Sequence, residues 1–251
     1  MVDQTLSFYA QNAETYAARS VVNPKLAEFL QHVAPGGFIL ELGSGSGLDA
    51  KFMIENGFKV DPTDGSYELA EEASRLLGQP VRHMYFEDLD AIEQYDGIYA
   101  SASLLHAKRS VLPEIVKCIH RALKTSGTVW ASFKDGSSEG YDQLGRYYNY
   151  MQAEELASLW RNCAPWGDLS FSSWQGSGYD GLPTLWHGVT HGGEMTANVG
   201  LSFGCRRIFQ YDCRSYLCCF SSKTMKRGGA VCRNGYSSQN RDQSRTFKAL
   251  W

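Results

Sequence analysis

Residues 39–47 read Ile39-Leu40-Glu41-Leu42-Gly43-Ser44-Gly45-Ser46-Gly47, and Leu48-Asp49-Ala50-Lys51-Phe52-Met53 follows. Apolar residues with one acid give a buried strand, three alternating glycines give a tight bend, and the next stretch has helical character. Glycine lets the backbone take positive φ and lets a ligand come where a Cβ would collide. The helix then offers free N–H groups at its start. Strand, bend and helix in this order place a nucleotide-like ligand at the carboxyl end of the first strand of an open α/β sheet.

The dinucleotide fingerprint Gly-x-Gly-x-x-Gly needs a glycine three places after Gly45, where this chain has Leu48. Asp64 lies 21 residues after Gly43, at the end of the expected second strand, Phe58 to Asp61 with Pro62 at its end. An acid there is placed to accept hydrogen bonds from ribose hydroxyls. Its other possible duty, capping the helix over Tyr67–Leu77, can be met by Ser66.

Working outward, helical spacing of Tyr9, Ala13, Tyr16 and Ala17 predicts a first helix within 4–20. Asn23-Pro24 opens a second, with Leu26, Phe29 and Leu30 inward. A third strand is expected over Val81–Phe86 and a fourth over Tyr95–Ser103. An amphipathic helix follows, carrying Leu112, Ile115, Val116, Ile119, Ala122 and Leu123. Lys124–Gly127 reads as a turn into a fifth strand, Thr128–Phe133, and residues 134–150 as a Gly/Tyr-rich connector. A helix over Gln152–Asn162 precedes two strands, Leu169–Gln175 and Thr184–Thr190.

The Glu41-Leu42-Gly43-Ser44-Gly45-Ser46-Gly47 loop resembles motif I of the class I S-adenosylmethionine-dependent methyltransferases. Asp64, Asp96 opening the fourth strand, and the Leu123-Lys124…Gly127 turn strengthen the likeness, which covers about residues 9–190. Small-molecule and tellurite-resistance-like methyltransferases are the nearest in pattern. The resemblance implies a Rossmann-like α/β fold: a seven-stranded, mostly parallel sheet with a terminal antiparallel hairpin and helices on both faces. It implies S-adenosylmethionine as cofactor, bound by Glu41, Gly43, Ser44, Gly45, Asp49, Asp64, Gly65, Phe86, Glu87 and Ser101, with Asp88 an alternative to Glu87. The N-terminal helix would cover the cofactor, with Tyr9 or Tyr16 toward the methyl donor. His106 is the candidate general base, and Tyr16, Arg146 and Tyr147 are candidate acceptor contacts. Ser101-Ala102-Ser103-Leu104 stands where amino-group methyltransferases of nucleic-acid bases carry Asn/Asp-Pro-Pro-aromatic. A nicotinamide-dependent oxidoreductase and a non-catalytic donor-binding protein stay open as alternatives.

Charge narrows the partner. Of 24 Lys/Arg and 27 Asp/Glu, ten and three fall in 191–251, leaving 14 basic and 24 acidic residues in the body. Phosphate backbones need clustered cations, so a small-molecule acceptor is expected rather than nucleic acid. No signal-peptide pattern and no long apolar run are seen. Two of the seven cysteines, Cys118 and Cys163, lie in the first 190 residues, which fits a cytoplasmic protein. No metal site is expected. After Thr190 periodicity stops while Cys, Arg and Ser accumulate, so 191–251 is expected to lie outside the fold, as an out-of-frame extension.

Overall fold

The computed structural model describes residues 4–192. Helix α1 (Gln4–Arg19) and the short α2 (Leu26–Leu30) precede β1 (Phe38–Leu42), α3 (Leu48–Glu55), β2 (Lys59–Asp64) and α4 (Tyr67–Leu77). Then come β3 (Arg82–His83), β4 (Tyr95–Ala100), α5 (Leu112–Ala122), β5 (Leu123–Lys134), β6 (Glu139–Tyr141), β7 (Tyr147–Asn149), α6 (Ala153–Cys163), β8 (Leu169–Ser177) and β9 (Pro183–His191). The main sheet has seven strands in the order β3-β2-β1-β4-β5-β9-β8. Its first five are parallel, whereas β9 runs antiparallel to both β5 and β8.

Alternation along the central strands builds two cores. Leu40, Leu42, Ile98, Ala100, Val129 and Ala131 pack on one face with the apolar stripes of α5 and α6. Ile39, Tyr99 and Trp130 point the other way, onto Leu26 and Phe29 of α2 and Met53 of α3. Strands covered on both faces are apolar throughout, and Glu41, only 2% exposed, breaks that rule. Strand order reverses between β1 and β4, and the carboxyl ends flanking that crevice are where ligands bind in such sheets.

Several boundaries differ from the sequence reading. Pro62 does not end the second strand but lies inside it, opposite Glu41. The Lys59 amide donates to Gly37 O, so the alternation of ladder donors turns the nitrogen of Pro62 away from β1. On that side β3 reaches only Thr63 and Asp64, and no ladder donor is lost. The third strand is two residues long because the chain turns into a 3₁₀ turn at Phe86–Asp88. The expected turn at 124–127 is an irregular stretch within β5, where register slips between Tyr95 and Gly97. The 134–150 connector holds an antiparallel pair, β6 and β7. No helix among the described residues is long and apolar enough to cross a membrane. Residues 193–251, nearly all of the expected extension, lie outside the described residues.

Candidate active site

The bend after β1 is drawn tight against β2. The Gly43 and Ser44 amides both donate to Thr63 O, at 2.9 and 2.8 Å, and Thr63 Oγ1 donates to Glu41 O at 2.7 Å. Gly43 and Gly45 stand at φ +84° and +53°, values that L side chains rarely adopt. A Cβ on Gly43 would lie 2.5 Å from Ser103 Cβ, and one on Gly45 would lie 3.2 Å from Tyr16 Cε1. Ser103 Oγ is buried there with no hydrogen-bond partner among the described residues.

Three acids surround the bend. Asp64, at the tip of β2, accepts from the Gly45 amide through Oδ2 and from the Ser66 amide through Oδ1, both at 2.8 Å. Burial still pushes its pKa up to about 6, against the pull of those two amides. The helix cap on α4 is made by Ser66, whose hydroxyl accepts from the Leu69 amide. Glu41 accepts from Ser44 Oγ at 2.5 Å, yet burial, followed by the charge of Asp49, raises it to about 8. Asp49, in the first turn of α3, accepts from the Asn23 amide at 2.8 Å and is also raised by burial. Carboxyls so shifted favour a cation nearby, which would return them to the charged form.

Two cavities open along this edge. The first, about 350 Å³, is walled by Asp64, Gly65, Phe86, Glu87 and His106. The second, about 430 Å³, is walled by Glu41, Ser44, Asp49, Trp174 and Trp186. Tyr16, Gly43, Gly45 and Ser101 border both. Ala102 borders both as well, at φ +50°, with its amide held by Ser132 Oγ at 2.9 Å. A non-glycine residue in that region is a strained position of the kind that gathers at functional sites.

His106 follows β4 in a short 3₁₀ turn. Its Nδ1 lies 2.6 Å from Tyr147 O, and its Nε2 lies 2.9 Å from Tyr9 Oη. A carbonyl only accepts, so Nδ1 carries the proton and Nε2 accepts from the Tyr9 hydroxyl. Burial lowers the ring to about 4 and holds Tyr9 well above 10. The pair is therefore neutral around pH 7.

Of the three expected acceptor contacts, Tyr16 borders both cavities, whereas Arg146 and Tyr147 stand back from them. Arg146 turns onto Asp142, donating from Nε at 2.9 Å and Nη2 at 2.7 Å. Its guanidinium lies 5.1–5.2 Å from the rings of Phe8, Tyr148 and Tyr179. The Tyr147 hydroxyl pairs with Glu139, leaving its carbonyl to hold His106. Asp88 is taken up by the Tyr85 amide, at 3.2 Å, and does not line the first cavity. Asn23, Ser103, Trp174 and Trp186 were not singled out by sequence. The two tryptophans become neighbours through the β8–β9 register, where Trp174 faces Trp186.

A family described as "Methyltransferase domain" matches residues 13–168. No curated protein matches the chain. Several solved structures share the fold. A Burkholderia thailandensis 1,6-didemethyltoxoflavin-N1-methyltransferase, with bound 1,6-didemethyltoxoflavin and S-adenosylhomocysteine, is 21% identical at TM-score 0.59, over 75% of this chain and 85% of its own. A S-adenosylmethionine-dependent methyltransferase from Methanosarcina mazei is 16% identical at TM-score 0.57, over 68% and 97%. A complex of DhpI with S-adenosylhomocysteine is 20% identical at TM-score 0.52, over 76% and 96%.

Proposed function

The chain belongs to the methyltransferase-domain family and is a S-adenosylmethionine-dependent methyltransferase, and from that premise we propose that it methylates a small molecule, with the donor lying along the Gly43–Gly45 edge. The observation that carries this placement is the set of three acids, Glu41 and Asp64 buried and Asp49 partly so, all held above their ordinary pKa values, around a bend that has no room for a Cβ. These residues fit the group. Asp64 would take the ribose hydroxyls, and Phe86 and Glu87 the adenine. The Gly43, Ser44 and Gly45 edge, with Glu41, Asp49 and Ser101, would take the amino-acid end and the sulfonium.

When bound, S-adenosylmethionine supplies an electrophilic methyl group with a neutral thioether as leaving group. The chain's own work is to hold, orient and keep dry, and alignment alone gives effective molarities of about 10⁵–10⁸ M. Helix α1 covers the edge through Tyr9 and Tyr16. His106 is the proposed base. Tyr9 occupies its lone pair, so a proton leaving the acceptor reaches Nε2 by way of the Tyr9 hydroxyl.

A small acceptor is favoured by the size of the cavities and by the acidic body, with 14 basic and 24 acidic residues. The Burkholderia relative, itself crystallised with a small molecule, supports the same reading. Cys118 and Cys163, both free thiols, accord with a cytoplasmic site of action. His191 closes β9, paired with Val129 and Leu169, so the expected boundary moves past it, and the 193–251 segment is proposed to be an addition foreign to the fold; a coding sequence with no more family-like ending in a shifted frame would end that idea.

Calorimetric titration of S-adenosylmethionine tests the donor placement. Asp64→Ala is expected to weaken binding at least tenfold, the worth of a charge-assisted hydrogen bond of about 1.5–3 kcal/mol. Equal affinity in the variant removes Asp64 from the site, and absence of binding to the native chain removes the whole placement. Transfer from labelled donor to a panel of metabolites then identifies the acceptor.

A further inference from the structure

The two cavities adjoin along Gly43, Gly45, Ser101 and Ala102, and their acids are divided between them. Asp64 walls only the first, and Asp49, Ser44 and Glu41 wall only the second. Between them Gly45 is covered by the ring of Tyr16, whose Cε1 would lie 3.2 Å from a Cβ placed there. A molecule touching both Asp64 and Asp49 has to cross Gly45, where the ring stands. We propose that Tyr16 is a gate across the donor groove. On one side is a nucleoside compartment that takes an adenosine fragment as the chain stands. On the other is an amino-acid compartment reached only when Tyr16 moves. The proposal rests on the donor placement argued above and adds the division of the groove.

The gate has a latch. Tyr16 stacks on Tyr179, with centroids 5.4 Å apart and planes at 20°. Tyr179 sits in the turn between β8 and β9, away from the walls of both cavities. Arg19, at the end of α1, places its guanidinium 4.7 Å from the Tyr179 ring and donates to Tyr179 O at 3.4 Å. Phe8 meets the same ring edge-on at 6.1 Å. Tyr179 therefore clamps α1 at Phe8, Tyr16 and Arg19, three turns of one helix. It holds Tyr16 over Gly45 without touching the groove itself. A ligand that needs the ring displaced binds against this clamp, and one that fits beside the ring does not.

The test compares two probes, S-adenosylhomocysteine, which spans the groove, and adenosine, which fits the first compartment alone. Titrations are run on the full chain, Tyr179→Ala and Tyr179→Phe. Losing the stack in Tyr179→Ala is expected to tighten S-adenosylhomocysteine roughly two- to tenfold, the scale of one aromatic pair, and to leave adenosine unchanged. Tyr179→Phe keeps the stack and should behave as the native chain. Followed by the fluorescence of Trp174 and Trp186, native association with S-adenosylhomocysteine should level off at high concentration, where gate opening limits it. Tyr179→Ala should raise that plateau, and adenosine should show none. The gate is overturned if Tyr179→Ala leaves S-adenosylhomocysteine unchanged or weaker, if it shifts both probes equally, or if native association never levels off. If neither probe binds the native chain, the donor placement fails and the gate with it.

Discussion

Glu41 should be a residue that the fold would do better without. Its side chain is 2% exposed and its pKa is raised from 4.5 to about 8, first by burial and then by Asp49. The folded chain therefore holds a proton here that the unfolded chain has released, throughout the window from 4.5 to 8. Stability falls as pH rises through that window. At pH 7 the cost is 2.5 pH steps at 1.36 kcal/mol each, or about 3 kcal/mol. Glu41→Gln keeps an oxygen to accept from Ser44 Oγ and has nothing to titrate. It should therefore gain about 3 kcal/mol at pH 7, which is roughly 6–12 °C in melting temperature for a domain of this size. At pH 5 the gain should shrink to under about 1 kcal/mol. Thermal melts of both proteins at pH 5, 6 and 7 measure this directly. A variant no more stable than the native chain at pH 7, or a gain that does not grow with pH, refutes the reasoning. The same substitution should weaken donor binding, which is the reason such an acid would be kept.

Other consequences are simpler to state. Arg146→Met strips a buried, two-pronged partner from Asp142 and empties the ring of Phe8, Tyr148 and Tyr179, so urea denaturation should show a loss of about 3 kcal/mol, with Arg146→Lys in between. His106 should appear in ¹⁵N spectra as the Nδ1–H tautomer, neutral above pH 5 and gaining its charge near pH 4; a titration near 6.5 would contradict its burial against Tyr9.

How much of this could be read from the chain depended on distance along it. The glycine bend and Asp64 were legible because a strand, a turn and a second strand tip are fixed by local pattern and a spacing of 21 residues. The seven-stranded, mostly parallel sheet was implied by the resemblance to the methyltransferase family, whereas its strand order, set by pairings between distant segments, was not read from the chain. His106 could be picked out as a titratable group, but its partner Tyr9 is 97 residues away, and its tautomer is set by a backbone carbonyl on β7, which no side-chain pattern encodes. Arg146 among tyrosines looked like a contact for the acceptor. Its charge is spent on Asp142, which the β6–β7 turn folds back onto it. Strands β6 and β7 escaped notice because three residues each, in a Gly- and Tyr-rich stretch, carry too little alternation to register. Trp174 and Trp186 could be placed on strands, but their meeting at the second cavity needs the hairpin register.

The three acids also make the site sensitive to the charge of what it holds, and this can be measured. At pH 7 Glu41, near 8, is about nine-tenths protonated, whereas Asp64, near 6, is about one-tenth protonated. S-adenosylmethionine carries a sulfonium charge that S-adenosylhomocysteine lacks. A cation that stabilises the Glu41 carboxylate by about 1.4 kcal/mol lowers its pKa by one step and brings it to half-protonation. Binding of the sulfonium should therefore expel roughly 0.4 proton more than binding of the thioether. Calorimetry at pH 7 in buffers of differing ionisation enthalpy counts those protons. The excess should vanish in Glu41→Gln and above pH 9, where the carboxyl has already ionised. By linkage the sulfonium should bind more tightly as pH rises toward 8, and the thioether should gain less. On the proposed placement, loss of the sulfonium charge would let the Glu41 carboxyl take its proton back, which would favour departure of the product. Equal proton counts for the two ligands would show that the buried acids do not feel the sulfonium, and the donor would have to be sought elsewhere on the molecule.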